Sequence, residues 1–112
     1  MNENEARLKA FTDANIEDHP VEASIVRRII RSLKEAGNPV VSVWDGEESE
    51  KVTTEAEIMA LVFNLDQCHL YTETGAFVFL VLGEGWDTIA DYNVSLEDAL
   101  KPVNDWVDKN MT

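Results

Sequence analysis

The chain is poor in cysteine, in basic residues and in long apolar runs, and each shortage excludes a class of protein. Its single cysteine, Cys68, cannot form a disulfide within the chain, so we expect a reducing compartment, the cytoplasm. The first residues are polar and no apolar stretch is long enough to span a bilayer, so we expect neither a signal peptide nor a membrane anchor. Nine basic residues against 22 acidic ones give a formal net charge of −13, which disfavours binding to nucleic acid or to anionic lipid.

The remaining composition predicts one folded domain over residues 1–112, with residues 1–19 as a flexible helical arm. Hydrophobic residues make up 45% of the chain, and they include three Trp, two Tyr and four Phe. A disordered chain would contain fewer of them. A length of 112 residues is sufficient to bury about two thirds of the unfolded surface without disulfides.

The few cations are concentrated near the N-terminus. All four arginines precede residue 32, whereas residues 37–112 contain three lysines and 15 of the acidic residues. Arg27, Arg28 and Arg31 lie on one predicted helix, so a basic helical ridge is attached to a strongly acidic body.

Hydrophobic periodicity and capping residues predict the helices. Pro20 at a first turn and Gly37 after a last turn delimit a helix over 20–36. Thr54 followed by Glu57 matches the capping box of a helix over 54–64. A weaker helix is predicted over 2–14, and a final helix from Ser95 to about residue 109, kinked or broken at Pro102.

Alternating and β-branched residues predict the strands. The first strand covers residues 40–45 and leads into an acidic turn over 45–50. A β-hairpin follows, with strands over 68–73 and 76–82. A further strand over 86–92 would extend this hairpin to a three-stranded meander. The fold class is therefore α+β, with a mostly antiparallel sheet of three or four strands and the helices packed on it.

The hairpin strand from Phe77 to Leu82 contains six consecutive apolar residues, so both of its faces need a cover. The N-terminal helices or a second subunit can supply it, and we therefore expect a homodimer. The arginine helix of one copy could also meet the acidic body of another. The alternative is that Arg27, Arg28 and Arg31 pair with carboxylates of their own chain or with water.

No pattern in the sequence predicts a catalytic, metal or cofactor site. Cys68 and His69 are adjacent on a strand and point to opposite faces, so they cannot share a metal ion, and Cys68 is expected to be a buried apolar residue. Asp87 and Asp91 could lie on one strand face near Glu84 as an acid–base or metal pair, but solvated charges on an edge strand, which block aggregation, are the preferred interpretation.

The residues predicted to contact a partner are Arg27, Arg28 and Arg31 on the helix and Trp86, Asp87 and Asp91 on the other side of the domain. Trp106, on the apolar stripe of the last helix, is predicted to be in the core. DNA recognition by the arginine helix is disfavoured by the charge of the body. The acidic body could instead mimic DNA, although its carboxylates are scattered along the chain.

The segment 75–104, GAFVFLVLGEGWDTIADY followed by SLEDALKPVN, resembles small uncharacterised accessory proteins of tailed bacteriophages and prophages. Their shared pattern is an apolar hairpin strand, an I-x-D-Y segment and an L-E-x-x-L helix. The resemblance implies action in the bacterial host cytoplasm and no known activity. We therefore expect a non-enzymatic protein that binds another protein; a DNA-mimic inhibitor and a structural or assembly component are the alternatives.

Overall fold

The structure, a computed structural model, describes residues 12–111. Residues 12–18 are helical, and the rest of the helix predicted over 2–14 lies outside the described residues. The remaining helices are α1 (Pro20–Glu35), α2 (Glu55–Val62) and α3 (Glu97–Asn110). The strands are β1 (Val40–Trp44), β2 (Ser49–Lys51), β3 (Gln67–Thr72), β4 (Phe77–Val81) and β5 (Ile89–Tyr92). Two 3₁₀ turns, Gly85–Asp87 and Val94–Leu96, flank β5.

Helix α1 begins and ends where the sequence predicts. Pro20 occupies its first turn, where a missing N–H costs nothing, and Gly37 follows its end with a φ of 79° that favours glycine. Its apolar stripe is fully buried, at Ile25, Val26, Ile29, Ile30 and Leu33. The arginines therefore lie on the opposite side of the helix.

The predicted capping box of α2 is present. The Thr54 hydroxyl accepts a hydrogen bond from the Glu57 N–H at 3.2 Å, and the Glu57 carboxylate accepts one from the Thr54 N–H at 3.2 Å. The same carboxylate accepts a hydrogen bond from the Thr53 hydroxyl at 2.8 Å. Two amide groups at the helix start are thereby satisfied locally.

The five strands form one antiparallel sheet in the order β2-β1-β3-β4-β5. The α+β class is confirmed. The sheet has five strands, whereas the sequence predicts three or four. The additional strand is β2, which pairs with β1 through Ser42↔Lys51 and Trp44↔Ser49. Its three residues have no apolar pattern, so the sequence predicted only an acidic turn there.

The helices pack on one face of this sheet. Val43, Cys68, Leu70, Val78 and Leu80 point from the strands into a single core that also contains the apolar stripes of α1, α2 and α3. Strand alternation sends the residues between them to the other face.

Helix α3 continues through Pro102 without a break. The Ser32 hydroxyl donates a 2.7 Å hydrogen bond to the Ala99 carbonyl, one turn before the proline. Pro102 has no N–H for the Asp98 carbonyl four residues earlier, and the Ser32 bond ties the neighbouring Ala99 carbonyl to α1. The predicted cap at Ser95 is absent, since Leu96 is the N-cap and makes no side-chain capping bond.

Candidate interaction surfaces

The arginines of α1 and two tryptophans form one surface on the helical side of the domain. The Arg28 guanidinium lies 4.0 Å from the centre of the Trp106 ring, and the Trp86 and Trp106 ring centres are 5.6 Å apart. We call Arg27, Arg28, Arg31, Trp86 and Trp106 the arginine–tryptophan surface. Stacking on an indole fixes the plane of a guanidinium that would otherwise be mobile.

Two predictions about the tryptophans need correction. The sequence predicts Trp86 on the opposite side from the arginines, yet it lies in the 3₁₀ turn Gly85–Asp87, which packs beside α1. Strand β5 starts only at Ile89, so the alternation assumed for residues 86–92 does not apply. Trp106 is predicted to be in the core, but it lies at the core's margin: it packs against the core and is half-buried, and the Arg28 guanidinium lies over one face of its ring.

Arg31 uses its guanidinium differently from the other two arginines. Its Nε and Nη2 atoms donate to the two Glu55 carboxylate oxygens at 2.9 Å and 3.1 Å. The hydrogen bond and the charge of Glu55 raise the pKa of Arg31 above its usual value. Neither Arg27 nor Arg28 forms an ion pair with any residue in the described range 12–111.

A cleft of about 300 Å³ runs between α1 and α3 along this surface. The three arginines line its α1 side together with Ser24 and Ser32, and Pro102 and Val103 line its α3 side. Within the described range 12–111, Glu35 is the one carboxylate that lines the cleft. Three guanidinium groups therefore line a shallow cleft of a protein with a net charge of −13.

Asp87 and Asp91 do not come together as an acid–base pair on one strand face. Asp87 belongs to the 3₁₀ turn, whereas Asp91 lies on β5 opposite Phe79. The register shifts between Phe79 and Leu80, which leaves Ala90 as an extra residue on β5. This irregularity turns Ile89 to the core face and Asp91 to the other face.

The other face of the sheet carries a group of aromatic side chains that no motif in the sequence indicates. His69 on the central strand β3 lies 5.1 Å from Trp44, 6.1 Å from Tyr71, 5.5 Å from Phe77 and 4.5 Å from Phe79, measured between ring centres. We call these five residues the aromatic sheet face. Each is half-buried, and none belongs to the core or to the residues packed against it.

The strand alternation that builds this face also determines the state of Cys68. Cys68 is buried in the core while its neighbour His69 is partly exposed on the aromatic sheet face. Burial raises the pKa of the Cys68 thiol to about 12, so the thiolate, the reactive form, is disfavoured.

The described residues contain no group of three His, Cys, Asp or Glu side chains placed to hold a metal ion. Over the same part of the chain, no helix is long and apolar enough to cross a membrane. No protein-family model, curated protein or solved structure is significantly similar to this chain.

Proposed function

We propose that this protein acts without catalysis, by binding an acidic segment of another protein at the arginine–tryptophan surface. The observation that carries the proposal is the contact of Arg28 with Trp106, beside Trp86. Arg27, next to Arg28, forms no ion pair with any of residues 12–111. Tryptophan and arginine are the residues most enriched at energetically dominant positions of protein interfaces. A guanidinium held on an indole loses little further entropy when it binds a carboxylate.

The chemistry of the partner follows from the lining of the cleft. Arg31 already binds both oxygens of the Glu55 carboxylate, which is the geometry that Arg27 and Arg28 would offer to a partner's Asp or Glu. The half-buried indoles supply apolar area next to these charges. An acidic segment with an apolar residue beside its carboxylates suits both features.

A non-catalytic role agrees with the separation of Asp87 from Asp91 and with the burial of Cys68. The resemblance of residues 75–104 to phage accessory proteins favours a partner in the bacterial cytoplasm. The test is therefore an affinity capture from nuclease-treated bacterial lysate at low and at high salt.

The capture compares three baits: the wild type, a test variant and a control variant with the same change in net charge. The test variant carries Arg27→Glu and Arg28→Glu; the control carries Lys101→Glu and Lys109→Glu, which make the same charge change on exposed residues of α3 outside the cleft. We expect one partner to be retained by the wild type and by the control, to be lost with the test variant, and to leave at high salt. Capture of identical proteins by all three baits would overturn the proposal.

DNA mimicry is the competing function, and the same experiment separates it. A mimic binds through its carboxylates, so its target would be a nucleic-acid-binding protein that the arginine variant retains and that duplex DNA displaces. The exposed carboxylates that support this alternative include Glu97, Asp98, Asp105 and Asp108 on α3.

A further inference from the structure

We infer that a second copy of this chain covers the aromatic sheet face, in a two-fold dimer whose axis runs parallel to the central strand β3. This inference concerns the opposite side of the sheet from the arginine–tryptophan surface and does not depend on the function proposed for it. It rests on the charge pattern of the aromatic sheet face and on the edges of the sheet.

The aromatic sheet face is the surface on which two such acidic chains repel each other least. Among the strand residues that point to this side, the charged ones are Lys51 and Asp91, which cancel. The helices, with most of the described carboxylates, lie on the other side. Two copies that meet through this face therefore keep their acidic surfaces apart.

The two charges also select the direction of the symmetry axis. Lys51 lies on β2 and Asp91 on β5, at opposite edges of the sheet. A two-fold axis parallel to β3 places the β2 edge of one copy over the β5 edge of the other. Lys51 then lies two residue positions along the strand direction from Asp91 of the second copy, which is about 7 Å at ~3.4 Å per residue. An axis perpendicular to the strands would instead place like charges near each other.

The edges of the sheet offer no comparable site for pairing. β2 has three residues, all exposed, and includes Glu50 and Lys51. β5 has four residues and an irregular register at Ala90. Short, charged and bulged edges resist the addition of a further strand. Among associations that use the sheet, face-to-face packing of two sheets with aligned strands is therefore the one that remains.

The first test is a charge exchange measured by analytical ultracentrifugation. Lys51→Glu alone and Asp91→Lys alone should each raise the dimer Kd roughly tenfold, because each creates two like-charge contacts per dimer. The double variant should return the Kd to near the wild-type value. Lys109→Glu, which changes the net charge equally on the helical side, should leave the Kd within about twofold.

The second test locates the axis by cross-linking. Packed sheets are about 10 Å apart, so a bis-maleimide of that span should join two copies of the variant Gln67→Cys, since exposed Gln67 lies on β3 at the predicted axis. The matched variant Val94→Cys, at an 81% exposed position, should form no covalent dimer under the same treatment, and buried Cys68 should not react.

Salt separates this dimer from one formed by the arginine helix. An apolar interface between two acidic chains should tighten as salt screens their repulsion, whereas an arginine–carboxylate interface should weaken. A monomer at all concentrations would overturn the inference, as would a dimer sensitive to Arg27→Glu but not to Lys51→Glu. Failure of Gln67→Cys to cross-link in a confirmed dimer would overturn the placement of the axis.

Discussion

Two neighbouring residues of β4 should respond very differently to truncation, because they lie on opposite faces of the sheet. Leu80 is fully buried in the core, whereas Phe79 is half-buried on the aromatic sheet face. Leu80→Ala removes three buried carbons, worth roughly 2.4 kcal/mol at ~0.8 kcal/mol each. The residual cavity should bring the loss of unfolding free energy to about 3–5 kcal/mol.

Phe79→Ala should cost less in the monomer. The side chain is already partly in water, and its stacking on His69 at 4.5 Å is worth about 0.5–1.5 kcal/mol. With its partial burial, the expected loss is about 1–2 kcal/mol. The same truncation should weaken the dimer, since it removes an aromatic ring from the inferred interface.

Urea unfolding, followed by far-UV circular dichroism at a concentration where the chain is monomeric, measures both losses. Val94→Ala, at an exposed position, is the control and should change the free energy by less than about 0.5 kcal/mol. If Phe79→Ala destabilises the monomer as much as Leu80→Ala does, the chain itself already covers the aromatic sheet face and the dimer inference fails.

Three further predictions concern single groups. Cys68 should resist alkylation in the folded protein and react on unfolding, which mass spectrometry of iodoacetamide-treated samples would detect; rapid labelling under native conditions would contradict its burial. The hydroxyls of Thr53 and Thr54 hold the pKa of Glu57 below its usual value. The ionised Glu57 carboxylate therefore stabilises the folded state at pH values above its unfolded-state pKa. This contribution is lost as the pH falls through the lower pKa that Glu57 has in the folded state. Urea titrations should therefore show a stability gap between the wild type and Glu57→Gln at neutral pH that narrows in acid, and a constant gap would contradict the assignment. Arg28→Ala should change the tryptophan emission spectrum by exposing the Trp106 ring, whereas Lys109→Ala should not.

The elements that the sequence predicted well are those specified by local chemistry. The helix start at Pro20 and the capping box at Thr54 depend on residues within one turn of each other. The hairpin strands β3 and β4 lie within one residue of their predicted limits because a tight turn separates two β-rich runs. Such features need no knowledge of the rest of the fold.

The predictions that failed depend on how one strand pairs with another, which the residues of a single strand do not specify. β2 exists because β1 supplies its hydrogen-bonding partner, not because Ser49–Lys51 prefers an extended conformation. The irregular register at Ala90 reverses the faces expected for Ile89, and the 3₁₀ turn removes Trp86 from the strand. A period-2 pattern carries no signal for a bulge or for the length of the preceding turn.

The aromatic sheet face had a partial signal in the sequence. The apolar run from Phe77 to Leu82 indicated that both faces of β4 need a cover, but the neighbours of that second face were unknown. Only the register places His69 opposite Phe79 and Tyr71 opposite Phe77. An isolated histidine on a strand therefore becomes the centre of an aromatic cluster once the strand order is known.

The two proposed surfaces lie on opposite sides of the sheet, and this placement has a consequence for binding. A dimer formed through the aromatic sheet face leaves both arginine–tryptophan surfaces exposed, one on each outer side. A partner that presents two acidic segments, or that is itself oligomeric, would then bind with an avidity above that of one site. Because Lys51→Glu weakens the dimer without touching Arg27 or Arg28, it should reduce capture of such a bivalent partner while leaving the affinity of a single acidic segment unchanged.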